Sequence, residues 1–401
     1  MSLIKSFLNK KIVAASFLFL LVSIGTLWQV EKRIQADEWI WVPVGVMFVD
    51  HIQHGNFHST QLSTRPGVTV RWISGTTTLL AERFGGVEVI RKKGYIYVEP
   101  RGYVINRIVF GLLTAGFAAA IFILLLKLFD WQKAAAISGL IALHPVTLLK
   151  SAGTWADLLL AFFMLFSLLC YLLFWKKDKV AYLLAAGIFF GLSIATKAAG
   201  VVLIPAFLVA SVLTKPSIQT LKRGLFSIVA VGFFGLATFY LIYPYLWQNY
   251  LGFFDRYVEL TREISVEERA LDVLSFLYYP KIFFKTDPIL TTGSALFFIP
   301  LLVQFLQKKV LPTPTIFTAA SAIIYIAMLS WVGQFGYWNG RKIASSRYIG
   351  PAIYFMILFL IAATSYLTKK GFKVLWLVPA AMFFLNLYSL LLFLPSEVSG
   401  G

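Results

Sequence analysis

The stretch Ile12–Val30, IVAASFLFLLVSIGTLWQV, followed directly by Glu31–Trp41, EKRIQADEWIW, decides the fold class. The first of these carries no charge, and about 20 mainly apolar residues rising ~1.5 Å each are enough to cross the hydrocarbon core of a bilayer. In lipid every backbone N–H and C=O needs an internal partner, so such a stretch spans as a helix. Lys5, Lys10 and Lys11 before it also suit a signal peptide. The apolar run, however, exceeds the usual ~7–15 residues, and no small-x-small cleavage site precedes Glu31, so the segment reads as a retained helix. Trp39 and Trp41 then mark a membrane–water interface, with Asp37 and Glu38 directly before them.

The rest of the 401-residue chain has the same character. It is 59% hydrophobic and 13% charged, with a mean hydropathy of +0.78. Roughly 25% charged residues is ordinary in soluble proteins, so a soluble fold is excluded, as is disorder. The 37 Phe and 11 Trp suit side chains in lipid and at its edge. Cys170 has no second cysteine to pair with, which excludes a disulfide scaffold.

Eleven apolar segments follow from this reading: Ile12–Val30, Val104–Leu128, Ala134–Leu149, Ala156–Trp175, Ala181–Ala195, Gly200–Leu213, Leu225–Trp247, Ile289–Leu306, Ile316–Val332, Ile349–Leu367 and Val374–Leu394. The fifth and sixth are short, so they tilt or meet at a break around Thr196–Gly200. The fold expected is an all-α integral membrane protein of about 11 transmembrane helices. With a cytoplasmic N-terminus, the inner turns collect 16 basic residues against the two acids Asp130 and Asp178. The net charge of +18 is then mostly a topology signal, N-terminus in and C-terminus out, and nucleic acid drops out as a partner. Two outer loops are long, about 31–103 and 248–288, within a single membrane domain, 1–401. Chemistry is expected there, on the extracytoplasmic face of a multi-pass protein of the plasma membrane.

Several residues suit that chemistry. A carboxylate at the interface under aromatic cover is partly desolvated, which raises its basicity and suits Asp37 or Glu38 to general-base work; a solvated helix end beside anchoring tryptophans gives the same pattern. In Ser63-Thr64-Arg65-Pro66-Gly67-Val68 the turn holds one guanidinium ready for a phosphate oxygen, or leaves it solvated. Val68–Ile90 is too polar to span and is expected as short amphipathic helices in the interface plane. His51, His54 and His58 recur at helical spacing, but Gly55 interrupts the helix and no Cys or clustered acid completes a metal site. Asp157, Lys197 and Arg347 stand at helix ends on the outer side, where a charge in lipid is costly unless it faces a polar cavity or snorkels to headgroups. Tyr278–Pro288 interleaves aromatics with Lys281 and Lys285, fitting a lipid phosphate, a sugar or an aromatic belt.

In this order the motifs resemble the C-type (GT-C) glycosyltransferases that use polyprenyl-phosphate-linked sugars, above all the branch of protein O-mannosyltransferases and aminoarabinose transferases. The likeness runs through Asp37-Glu38, Arg65-Pro66, Asp157 after His144-Pro145, Gly191-Leu192 to Thr196-Lys197, Phe284-Lys285-Thr286 and Arg347-Tyr348-Ile349-Gly350-Pro351. It implies an inverting transferase whose first acid, Asp37, is the base, with Glu38 and Asp157 in support. The donor phosphate would fall to Arg65, Lys197, Lys285 and Arg347, and donor or acceptor contacts to Trp39, Tyr279 and Tyr348. Arg65 stands where some relatives have Lys. The late outer loop is far shorter than in the eukaryotic O-mannosyltransferases, so the acceptor is open among protein, lipid and glycan. Polyprenyl phosphate is a good leaving group, so no cofactor and no divalent metal is obligatory. A transporter or flippase of lipid-linked sugars, or a glycan polymerase or ligase, shares the composition. The former predicts broken helices with midplane charges, whereas these charges gather at one face.

Overall fold

The computed structural model of the chain describes residues 2–28, 30, 38–62, 67–92, 95–151, 153–214, 217–249, 252, 278–307, 311–335, 337–338, 341–342, 349–369 and 373–396. In chain order its helices are α1 (Ser2–Leu27), α2 (Glu38–Gln53), α3 (Val68–Arg83), α4 (Pro100–Leu128), α5 (Trp131–Ala142), α6 (Pro145–Ser151), α7 (Ala156–Lys177), α8 (Val180–Thr196), α9 (Leu203–Thr214), α10 (Ile218–Ile242), α11 (Tyr278–Thr286), α12 (Pro288–Leu306), α13 (Thr313–Phe335), α14 (Gly350–Thr368) and α15 (Leu377–Ser396). Among the described residues six are long and apolar enough to cross a membrane: α4, α7, α10, α12, α13 as far as Ser330, and α14. Shorter apolar helices cover Lys11–Leu27, Val180–Thr196, Ala198–Thr214 and Leu377–Asn386. The chain is a multi-pass membrane protein.

The eleven apolar segments are helical over most of their length, with two corrections: Leu225–Trp247 leaves the helix after Ile242, where Tyr243-Pro244 interrupts it, and a second segment divides. Ala134–Leu149 is two helices, α5 and α6, because Pro145 has no N–H to continue α5 and instead opens α6 at its first position. The break expected near Thr196–Gly200 is present: α8 ends at Thr196 and a 3₁₀ turn, Ala198–Val202, leads into α9. Helices α7 and α14 are almost wholly buried at the centre, whereas α10 exposes most of its length. Against α8, α10 can lie close because Gly191 faces Gly235; a Cβ on Gly191 would stand 2.4 Å from the Gly235 carbonyl oxygen. Small residues at such crossings let backbones approach where lipid supplies no hydrophobic drive.

The layer beyond the spans holds α2, α3 and a hairpin, β1 (Val89–Lys92) with β2 (Tyr95–Val98), paired antiparallel with Val89 opposite Val98. The fold is overwhelmingly helical, as expected, with this small hairpin added, and the short interfacial helix expected over Val68–Ile90 forms as α3 but ends before Ile90. The helix runs only to Arg83 and stops at Gly85, where φ is +71°. The β-branched and aromatic residues that follow pair as strands instead. A second small hairpin joins β3 (Tyr337–Trp338) to β4 (Arg341–Lys342). Arg91 ties the first hairpin down, bonding Glu82 of α3 at 2.6 Å and Asp50 of α2 at 2.9 Å. The Glu82 bond chiefly holds that guanidinium above its ordinary range, against the pull of burial. Two of the three histidines bond to different partners: His54 Nδ1 meets the Asp50 carbonyl at 2.7 Å and His58 Nδ1 meets Asn249 at 3.2 Å.

The helix ends sort by charge. At one end of the bundle Lys176 donates to the carbonyls of Lys127 and Leu128, and Arg223 pairs with Asp178 at 2.7 Å. At the opposite ends of the same helices α4, α7 and α8 stand Arg107, Asp157 and Lys197.

Candidate active site

Arg107 lies two turns into α4 and is 2% exposed. Its guanidinium grips Glu38 with a fork of bonds, Nε to Oε1 at 2.9 Å and Nη2 to Oε2 at 2.6 Å, while Nη1 donates to the Val30 carbonyl at 2.8 Å. Glu38 is 1% exposed, opens α2 and also accepts the Thr154 N–H at 3.2 Å. A planar guanidinium suits such bidentate work, and a carboxylate in the first turn complements the helix dipole. One side chain therefore holds both the chain leaving α1 and the chain entering α2, on either side of residues 31–37.

One turn beyond Thr154, Asp157 opens α7 and is 2% exposed. Lys197, at the α8 break, donates to its Oδ1 at 2.5 Å. Oδ2 is buried and has no hydrogen-bond partner among the described residues. Such an oxygen is an acceptor already stripped of water, suited to a ligand hydroxyl. The residue beside Lys197 locks in the start of α3: Thr196 Oγ1 meets Thr69 Oγ1 at 2.7 Å and its carbonyl accepts the Gly67 N–H at 3.0 Å. From the other side Gly350, at the start of α14, lies against the Asp157 turn; a Cβ there would sit 4.0 Å from the Asp157 carbonyl oxygen. Two ion pairs thus stand one helical turn apart along the chain: the buried Glu38–Arg107 pair, which Thr154 also holds, and Asp157 at the start of α7 with the partly exposed Lys197 at the α8 break.

Gly67 caps α3 with φ at +57°, and a Cβ on it would fall 2.3 Å from the Trp41 ring. The αL conformation alone costs an L-residue about 1–2 kcal/mol. Gly67→Ala is accordingly expected to lower thermal stability by at least that amount and to reduce activity by shifting the turn against Thr196. Differential scanning fluorimetry of purified protein checks it; an unchanged melting temperature would contradict the close fit.

Among the residues expected from sequence, Glu38, Asp157 and Lys197 are brought together. Asp37, Arg65, Arg347 and Tyr348 lie outside the described residues. Trp39 is exposed and rests on Tyr103, centroids 5.3 Å apart. Tyr279 is buried in the main core, and Lys285 is exposed at the end of α11. Arg107 was missed, although it falls inside the apolar segment Val104–Leu128 and the rule that singles out charges in lipid selects it. His144 and Asp287 were passed over too: His144, 2% exposed, bonds Asp287 Oδ2 at 3.1 Å through Nε2. Among the described residues no group of three or more His, Cys, Asp or Glu gathers to hold a metal.

Residues 102–243, which contain Arg107, Asp157 and Lys197, match the family model of dolichyl-phosphate-mannose-protein mannosyltransferases. The structure superposes on ArnT from Cupriavidus metallidurans bound to undecaprenyl phosphate with a TM-score of 0.57 at 14% identity, covering 92% of this chain and 62% of that one. The apo form of the same ArnT gives 0.56 at 15% identity over the same shares. The chain shares the fold of this ArnT. An Archaeoglobus fulgidus oligosaccharyltransferase in complex with Zn and sulfate is similar at a TM-score of 0.51 and 16% identity, over 94% of this chain and 52% of that one. No curated protein sequence matches. The chain spans less than two thirds of the length of the solved structures it resembles.

Proposed function

We propose that this chain transfers a hexosyl or pentosyl group from a polyprenyl-phosphate donor to an acceptor hydroxyl on the extracytoplasmic side of the plasma membrane, with inversion at the anomeric carbon. In this reading it is a single domain crossing the bilayer about eleven times, N-terminus in and C-terminus out, so that the basic helix ends face the cytoplasm. The observation that carries it is Arg107 holding Val30 and Glu38 together beside the Asp157–Lys197 pair. Asp37 is covalently next to Glu38, and the clamp sets where the chain on both sides of it runs.

Asp37 takes the proton from the acceptor hydroxyl, whose oxygen attacks the anomeric carbon opposite the departing phosphate. The C–O bond to the phosphate breaks and the leaving group carries away the pair as polyprenyl phosphate. Arg65, Lys197, Lys285 and Arg347 stabilise the charge building on it, and fixed cations act most strongly where water is excluded. Glu38 and Asp157 orient the base, the sugar or the acceptor, and Trp39, Tyr279 and Tyr348 contact donor or acceptor. No metal enters a step. The undecaprenyl phosphate bound to ArnT supports a polyprenyl-phosphate donor, and the acceptor is a protein, lipid or glycan.

Arg65→Ala is the test of the phosphate grip. It is expected to raise donor KM about tenfold or more, the loss of one charge-assisted contact, with acceptor KM little changed. An unaltered dependence of rate on donor concentration would remove Arg65 from the donor site.

A further inference from the structure

Two helices of this fold begin with the same local device. His144 precedes Pro145 at the start of α6, and Asp287 precedes Pro288 at the start of α12. His144 Nδ1 accepts the Val146 N–H at 3.1 Å and so caps α6. Asp287 Oδ1 accepts the Leu290 N–H at 2.8 Å and so caps α12. With Nδ1 an acceptor, the proton of the neutral imidazole is on Nε2, and that N–H donates to Asp287 Oδ2 at 3.1 Å. Two helix caps, 143 residues apart in sequence, are thus bonded directly to each other, in a place where His144 is 2% exposed and Asp287 13%.

Helix α6 is fixed on its other sides as well. Thr147 Oγ1 meets the Tyr354 hydroxyl of α14 at 2.7 Å, and Ser151 Oγ meets Thr26 Oγ1 of α1 at 2.8 Å. Three residues past its end comes Thr154, which holds Glu38, and then Asp157. On the other partner, Lys285 stands two residues before Asp287 in the last turn of α11. The His144–Asp287 bond directly links the segment that leads to Asp157 and the turn that presents Lys285.

The geometry points to His144 and Asp287 as a positioning pair for the donor site: their bond sets the Lys285 turn at a fixed distance from Glu38 and Asp157, so that the ammonium meets the donor phosphate. The inference rests on the transferase reading and on Lys285 as a phosphate contact. Neither residue touches substrate; both act through the Lys285 turn.

The test separates positioning from capping. Asn caps a helix about as well as Asp, so Asp287→Asn keeps the α12 cap but turns an amide N–H, in place of an acceptor, toward His144. His144→Asn keeps a cap for α6 but is too short to reach Asp287. Steady-state kinetics of both variants, of Lys285→Ala and of His144→Asn combined with Lys285→Ala are to be measured with a polyprenyl-phosphate sugar, alongside melting temperatures. Each cap variant is expected to raise donor KM about tenfold, with kcat and melting temperature near the parent's. The double variant is expected to be no worse than Lys285→Ala alone. A raised KM for Lys285→Ala with parental KM for both cap variants would overturn the positioning pair and leave the transferase reading intact. A lowered melting temperature with unchanged donor KM would make the pair merely structural. An unchanged KM for Lys285→Ala would remove Lys285 from the donor site and the inference with it, and absence of turnover by the parent protein would sink the transferase reading itself.

Discussion

Asp37→Asn is expected to reduce sugar transfer by about 10²–10⁴-fold, the usual contribution of a positioned general base. Asparagine keeps the size and the hydrogen-bonding shape of the side chain, so expression, membrane insertion and thermal stability should stay near the parent's. Donor KM should stay near the parent's too, because the donor is held by cations and not by the base. The loss should therefore fall on kcat, the signature of an interaction made in the transition state. Near-normal turnover in this variant would take the base away from Asp37 and leave Asp157, whose Oδ2 has no partner among the described residues, as the next carboxylate to test.

Arg107→Ala is expected to have the second largest effect, and on stability as well as rate. It strips a buried Glu38 of its fork of hydrogen bonds, and breaking a buried pair by removing one partner typically costs about 3–5 kcal/mol. It also releases Val30, so both chain ends beside residues 31–37 lose their common tether. Arg107→Lys retains the charge but not the planar fork and should fall between alanine and parent. The double variant Arg107→Leu, Glu38→Leu separates the two effects. Apolar replacement of a whole buried pair is often neutral for stability, so the melting temperature should recover while transfer stays lost. Recovery of both together would show that the pair only holds the fold.

Much of this molecule was legible because membrane chemistry writes in long words. A run such as Ile12–Val30 or Val104–Leu128 has one low-energy conformation in lipid, and each apolar segment is indeed helical over most of its length. The breaks were less legible, since they depend on one residue. Pro145 splits a stretch whose hydropathy is continuous, whereas the break after Thr196 was visible because Lys197 interrupts the apolar pattern. The β1–β2 hairpin was hidden because Val87 to Val98 mixes Val, Ile and Tyr with Glu, Arg and Lys, and its pairing depends on where Gly85 stops α3. At the site, carboxylates and cations near helix ends stood out one by one, and Asp157 with Lys197 proved to be a pair. That Glu38 is matched by Arg107 was not foreseeable from spacing, because 69 residues separate partners that only the packing of α2 against α4 brings together. The same holds for His144 and Asp287, where two Xaa-Pro caps look like ordinary helix starts until the helices are placed side by side.

Sugar transfer requires cleavage of the sugar–phosphate linkage, and that is directly measurable. Purified protein incubated with a panel of polyprenyl-phosphate sugars and simple hydroxyl acceptors should release polyprenyl phosphate from at least one donor, in step with sugar appearing on the acceptor in the inverted configuration. Donors that all remain intact, or that cross a reconstituted bilayer whole while no polyprenyl phosphate is released, would contradict it and identify a carrier of lipid-linked sugars in place of a transferase.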